Sequence, residues 1–170
     1  TTFTIRLPLT TAIIDGLILQ VGSERFIIPT LSVRRLVRPE PDDLSTVTGK
    51  GELVRLKGRL VPIVRLGRLL GIESRLNDPC EAVLVVVEEG GREAALLADD
   101  LLGKQEVVIK NLGKRFEDLD GVSGGAILGD GRVGLILDIG GLLDCAVKGT
   151  APGAETHETA CATANTPHAE

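Results

Sequence analysis

The sequence predicts an all-β protein, built as a duplicated pair of small barrels of about five strands each. Three observations lead there. Short runs rich in Val, Ile and Leu (GLILQVG, RFIIPTL, GELVRLKG, RLVPIVRL, AVLVVVEE, REAALLAD, EVVIKNL, GGAILGDG and VGLILDIG) recur behind Gly, Asp, Asn and Pro, at intervals of roughly 8 to 12 residues, the rhythm of small barrels. Several connections carry hairpin chemistry, with Gly or Asp where positive φ is needed. Finally, Gly58–Leu70 (GRLVPIVRLGRLL) and Gly131–Leu143 (GRVGLILDIGGLL) agree at six of thirteen positions. An offset near 70 residues is too long for a solenoid repeat and suits a duplicated barrel.

Taken in chain order, the first two runs are joined by Val21-Gly22-Ser23-Glu24, a two-residue hairpin. Val33, Leu36 and Val37 follow, interleaved with Arg34, Arg35 and Arg38, a mix that suits an interface rim or a solvated edge. GELVRLKG and RLVPIVRL turn on Lys57-Gly58. Leu60 to Val64 is apolar on both alternating faces, although a barrel strand needs one face for its core, so the other must be covered by the sister barrel, a loop or a partner. Pro62 cannot donate a ladder hydrogen bond, which predicts an edge strand or a bulge. In the second half, AVLVVVEE and REAALLAD turn on Gly90-Gly91, and GGAILGDG and VGLILDIG on Asp130-Gly131. Helix is expected only as a single turn at Gly140 to Leu143. A five-stranded barrel is marginal alone, and packing two copies together buries more apolar surface.

Composition narrows the function. The 170 residues hold 19 Lys/Arg against 24 Asp/Glu, three Phe, and no Trp, Tyr or Met. So few aromatics, with a net charge of −5, supply neither a base-stacking platform nor an electrostatic footprint for nucleic acid. The charge is uneven: residues 1–75 carry 12 Lys/Arg and 7 Asp/Glu, and residues 76–170 carry 7 and 17. That predicts a basic first barrel and an acidic second one, a polarity favouring heterologous contacts. The missing Met, with Thr1 first, predicts a piece of a longer protein. Cys80, Cys145 and Cys161 are odd in number and not closely spaced, which suggests a reducing cytosol rather than a disulfide framework or zinc knuckle. No run reaches the ~18 apolar residues of a membrane span, and residues 147–170, rich in Ala, Thr, Pro and Gly, are expected to be disordered. His157, His168 and Cys161 lie there, without a frame for a metal.

Chemistry is sought in the body and not found. Gly129-Asp130-Gly131-Arg132-Val133-Gly134 has the G-x-G-x-x-G spacing of a dinucleotide loop, but a β-type run follows it where that loop needs a helix. Asp99-Asp100 and Glu88-Glu89 are adjacent pairs whose members point to opposite faces, so they read as solvated turns or strand ends. Ser23, Ser32, Ser45, Ser74 and Ser123 have no histidine in the body to activate them.

TTFTIRLPLT, AIIDGLILQVG, ERFIIPTLSV, KGRLVPIVRLGRLLG and SGGAILGDGRVGLILDIGGLLD, in this order, resemble the end of a CheA-type chemotaxis histidine kinase. The resemblance implies that residues 1–13 are the last strand of its ATP-binding domain. Residues 14–146 then form the CheW-like regulatory domain: two SH3-like five-stranded barrels, halves about 14–75 and 76–146, with strands able to swap between them. It implies a non-catalytic scaffold that binds the coupling protein CheW and chemoreceptor tips and couples their signal to the chain's own kinase domain. No cofactor is implied in these residues, ATP and Mg belonging to the kinase domain upstream. The implied location is cytoplasmic, at the membrane only through receptor arrays. Carried onto this sequence, the CheW-binding candidates are Leu53, Arg55, Leu60, Pro62 and Val64, and the receptor-groove candidates are Val33, Leu36 and Leu101. Phe26 stands where the family often has Tyr. The alternatives are a free-standing CheW-type adaptor, against which TTFTIRLPLT speaks, and a small nucleotide-binding enzyme using GDGRVG.

Overall fold

Turn chemistry sets the strands. The computed structural model describes residues 13–47, 51–110 and 121–148. The strands are β1 (Ile13–Val21), β2 (Glu24–Pro29), β3 (Val33–Val37), β4 (Leu44–Val47), β5 (Gly51–Leu56), β6 (Arg59–Arg65), β7 (Val83–Glu89), β8 (Arg92–Ala98), β9 (Asp100–Lys110), β10 (Val122–Ile127) and β11 (Val133–Leu137), with helices α1 (Leu66–Leu69) and α2 (Ile139–Lys148). Hairpin β5–β6 closes on the pair Leu56↔Arg59, and its loop residues Lys57 and Gly58 have φ of 49° and 80°. Two positive φ values in a two-residue loop match the twist of the flanking strands. Hairpin β7–β8 closes in the same way on Glu89↔Arg92, with Gly90 and Gly91 at φ of 59° and 79°, and β1–β2 closes on Val21↔Glu24 with positive φ at Gly22 alone.

The strands assemble as a closed barrel of order β1-β2-β11-β10-β9 and a six-stranded sheet of order β3-β7-β8-β6-β5-β4. This corrects the strand count expected of the second unit. The second unit is a six-stranded sheet whose outer strands, β3 and β4, are neighbours in sequence, joined through the 3-10 turn Pro41–Asp43. Strands also cross between residues 14–75 and 76–146. The first hairpin, β1–β2, leaves its half to join β9–β11, and β7–β8 joins β3–β6. The duplication survives the exchange: β6 runs parallel to β8, β11 runs parallel to β2, and a helix follows each.

The exchange also dissolves the predicted charge polarity. Residues 33–98, which supply every strand of the six-stranded sheet, hold 11 Lys/Arg and 10 Asp/Glu. The acidic excess of the second half is spread over residues 76–98, 99–148 and 149–170, with 5, 9 and 3 Asp/Glu against 1, 6 and 0 Lys/Arg, while strands β9–β11 carry two of each sign.

Three apolar clusters hold the sheets. Ile18, Ile27, Val107, Ala126, Leu128 and Ile136 form one cluster, on barrel strands and the β10–β11 turn. Val54, Leu56, Val61, Leu84, Val86, Ala95 and Leu97 form another, along the six-stranded sheet. The largest draws Leu17, Leu19, Phe26 and Ile28 from one hairpin, Val85, Val87, Ala94 and Leu96 from the other, and Leu142 and Leu143 from α2. Hairpins β1–β2 and β7–β8 are thus buried on both faces, which is why their sequences read as continuous apolar runs instead of alternating ones. Phe26 is fully buried in the central cluster, so the ring is used for packing.

Two smaller expectations change. The single predicted helical turn is a helix of 10 residues reaching Lys148, so the helix includes the first two positions of the expected tail. Strands β3 and β4 were not predicted; their Arg, Ser and Thr content hides the apolar half of a partly exposed strand. The expected ATP-domain strand lies outside the described residues except for Ile13, which opens β1. Residues 149–170, with His157, Cys161 and His168, lie outside them altogether.

Candidate interaction faces and the buried carboxylate between them

On hairpin β5–β6 the register pairs Leu53 with Pro62 and Arg55 with Leu60, while Val54 and Val61, also paired, are buried in the six-stranded sheet's cluster. Alternation therefore turns Leu53, Arg55, Leu60 and Pro62 to the opposite, outer face. Leu60 is 55% exposed. The same face of β6 runs from solvent at Leu60, through half-buried Pro62, to Val64, 8% exposed and packed in the central cluster. Val64 is accordingly a core residue, and its assignment to a partner face is corrected: the surplus apolar face is covered by the neighbouring sheet at one end and open at the other. The edge-strand expectation for Pro62 is corrected too, since β6 lies between β5 and β8. Counting from the hydrogen-bonded closing pair Leu56↔Arg59, Leu53↔Pro62 falls at a non-hydrogen-bonded pair. The ladder to β8 begins one residue later, at Ile63↔Ala95, so the missing N–H of Pro62 costs no bond to β5.

The groove candidates lie along the central cluster. Val33 and Leu101 are half-buried and pack against it. The β3–β7 register shifts between Val33 and Arg35, and that extra residue places Val33 and Leu36 on one face, opposite Val87 and Val85 of the central cluster. Leu36 is 45% exposed. Leu101 pairs with Leu19, and a second shift passes over Leu102, which leaves Leu102 exposed. Sequence reasoning missed Leu31, 97% exposed on the 3-10 turn between β2 and β3; an apolar residue at a turn gives no periodic signal.

It also missed Asp99, whose expected role as a solvated strand end is overturned. Asp99 is 8% exposed. Its carboxylate accepts the N–H of Gly22 at 2.6 Å, of Arg75 at 3.0 Å and of Leu76 at 3.3 Å, together with the Ser74 hydroxyl; its own N–H donates to the Gln20 carbonyl at 2.9 Å. Burial pushes the carboxyl pKa up, and the Ser74 hydroxyl with the three N–H groups outweighs that, holding it below the usual carboxylate range. Beside it, Arg65 grips Glu52 with two bonds, Nε to Oε2 at 2.6 Å and Nη2 to Oε1 at 2.8 Å, and donates Nη1 to the Asn77 carbonyl at 2.8 Å. The Arg65 hydrogen bond keeps the half-buried Glu52 below its ordinary pKa, against the opposing effect of burial. A cleft of about 660 Å3 lies over this linker, lined in part by Arg65, Arg68, Ser74 and Asn77.

Among the described residues no three His, Cys, Asp or Glu side chains group to hold a metal, and no helix is long and apolar enough to cross a membrane. GDGRVG opens onto strand β11, with Gly131 N–H bonded to the Leu128 carbonyl and Asp130 engaged by Arg25 and by the N–H of Arg132 at 3.1 Å. It is a closed hairpin connection without the helix start that a dinucleotide loop needs.

A barrel and a sheet that trade hairpins around a shared central core, with apolar strand faces left open, define an all-β two-sheet module. Residues 15–146 match the CheW-like domain. This chain belongs to the CheW-like domain family. It is 36% identical over 142 residues to chemotaxis protein CheA of Salmonella typhimurium, covering 84% of this chain and 21% of that protein. Over 141 residues it is 36% identical to chemotaxis protein CheA of Bacillus subtilis, 83% of this chain and 21% of that protein. Over 146 residues it is 35% identical to the sensor histidine kinase CheAY of Helicobacter pylori, 86% of this chain and 18% of that protein. The chain spans about a fifth of the length of these relatives. The scaffolding protein TtCheW from Thermoanaerobacter tengcongensis superposes with a TM-score of 0.60 over 74% of this chain and 89% of that one, at 18% identity, which shows a shared fold.

Proposed function

We propose that this chain is the regulatory domain of a chemotaxis histidine kinase, a non-catalytic scaffold. It binds the coupling protein CheW through the outer face of β5–β6, engages chemoreceptor tips along the Val33, Leu36 and Leu101 groove, and passes the signal to its own kinase domain. The match of residues 15–146 to the CheW-like domain, alongside CheA relatives, supports the class. The observation that carries the partner face is Leu60, 55% exposed beside exposed Arg55 and half-buried Leu53 and Pro62, on a strand pair whose Val54, Leu56 and Val61 are buried in the core. No cofactor is needed for this role; ATP and Mg act in the kinase domain. The work takes place in the cytoplasm, at the membrane through the receptor array.

Titration with CheW from the same organism tests this. Leu60→Asp should weaken binding at least about tenfold, since a central apolar contact carries more than ~1.4 kcal/mol, with an unchanged circular dichroism spectrum. Equal affinity in the folded variant would place the CheW contact elsewhere.

A further inference from the structure

We propose that the linker Ser74–Asn77 couples the two candidate partner faces, so that a change at one face alters the other. This inference rests on the reading of those faces given above. A continuous set of polar contacts supports it. Glu52 adjoins Leu53 on the open hairpin and is held by two bonds from Arg65. Arg65 also donates to the Asn77 carbonyl. One residue back, the N–H groups of Leu76 and Arg75 and the hydroxyl of Ser74 all end on Asp99. Asp99 joins β8 to β9, two residues before Leu101 of the groove, and takes the N–H of Gly22 from the β1–β2 turn. The links between elements are hydrogen bonds to an ionised or backbone group, and the carboxylates of Glu52 and Asp99 are partly shielded from water, where such bonds are stronger.

The packing is tight where the chain enters this linker. A Cβ on Gly22 would lie 2.3 Å from the Glu73 carbonyl oxygen, and one on Gly67 would lie 2.8 Å from the Ile72 carbonyl oxygen. Residues 72–74, which lead into the linker, therefore run pressed against the barrel turn on one side and α1 on the other, and the Ile72 N–H is bonded to the Gly67 carbonyl at 2.7 Å. A displacement of Arg65 pulls on Asn77, and the three residues before it bear on Asp99. Coupling of this kind is reciprocal, so Asp99 must act on Arg65 as Arg65 acts on Asp99.

Amide exchange and NMR spectra of the 170-residue chain and its variants test the coupling without any partner. Glu52→Gln should speed exchange at Leu76 and Gly22 about tenfold relative to the β7 and β8 amides, the size expected when bonds to a charged group weaken. Asp99→Asn should shift the Arg65 Nε–H resonance in return. Ser74→Ala, which removes the hydroxyl shared between Asp99 and the Leu76 carbonyl and keeps the carboxylate, should give a smaller shift of the same resonance and serves if Asp99→Asn does not fold. Effects confined to each variant's own neighbours, or equal acceleration throughout β7 and β8, would overturn the coupling. Coupling observed while CheW affinity of Ser74→Ala is unchanged would uphold the linker and sink the assignment of the partner face.

Discussion

Gly22 and Asp99 stand 77 positions apart in sequence and meet at 2.6 Å, the N–H of the first on the carboxylate of the second. Gly22 is in the left-handed region, φ 60°, which aims its N–H inward while the linker crosses above it. The contact ties the β1–β2 turn of the barrel to the β8–β9 junction where the two sheets meet.

Its stability should depend on pH with a defined sign. The folded pKa of Asp99 lies below the ordinary carboxylate value, so its contribution is complete above the unfolded pKa of about 3.9 and is lost as pH falls through the folded value. Asp99→Asn removes the charge and leaves N–H donors poorly met, destabilising the chain by roughly 1–3 kcal/mol at neutral pH. Urea unfolding at pH 7 and below pH 4 should show the gap between the variant and the parent protein closing in acid. A gap independent of pH would contradict an ionised Asp99.

Gly22→Ala should destabilise by about 1–3 kcal/mol, because a Cβ there meets both a strained φ and the Glu73 carbonyl oxygen. Gly58→Ala keeps the φ penalty but has open space around its Cβ, so it should cost less. Chemical denaturation of the two variants checks the order, and equal losses would mean that the linker yields freely.

Val64→Asp should unfold the chain, since a carboxylate would be forced into the central cluster, whereas Leu60→Asp, on the same face of β6 but in solvent, should melt within a few degrees of the parent protein. A folded Val64→Asp variant would return that position to the partner face.

Leu36→Asp should impair association with receptor tips more than pairing with CheW while leaving stability within about 0.5 kcal/mol, as at exposed sites generally. Val33 is the weaker probe, because it packs on the central cluster and its substitution mixes stability with binding. Co-sedimentation with receptor arrays gives the ranking; the reverse order would remove Leu36 from the groove.

Leu96→Ala, in the fully buried centre of the molecule, should cost about 2–5 kcal/mol. Because both sheets line that cluster, they should still unfold together. Two separated transitions would show that the central cluster does not unite them.

What the sequence determined is local. Val, Ile and Leu runs, Lys57-Gly58 and Gly90-Gly91 specify strands and hairpins through side-chain period and positive φ, both properties of neighbouring residues. The repeated GRLVPIVRL and GRVGLILDI motifs announced a duplication, and the ordered motifs announced the family. Tertiary structure alone decided which strands share a sheet, because exchanging hairpins between the halves preserves every local preference while changing every long-range partner. It alone separated Val64 from Leu60, identical in alternation but different in what lies across from them. Asp99 became legible only there as well: in sequence it is one of two acids after a strand, and its meaning comes from donors on Gly22, Ser74, Arg75 and Leu76 that the chain brings to it only by folding.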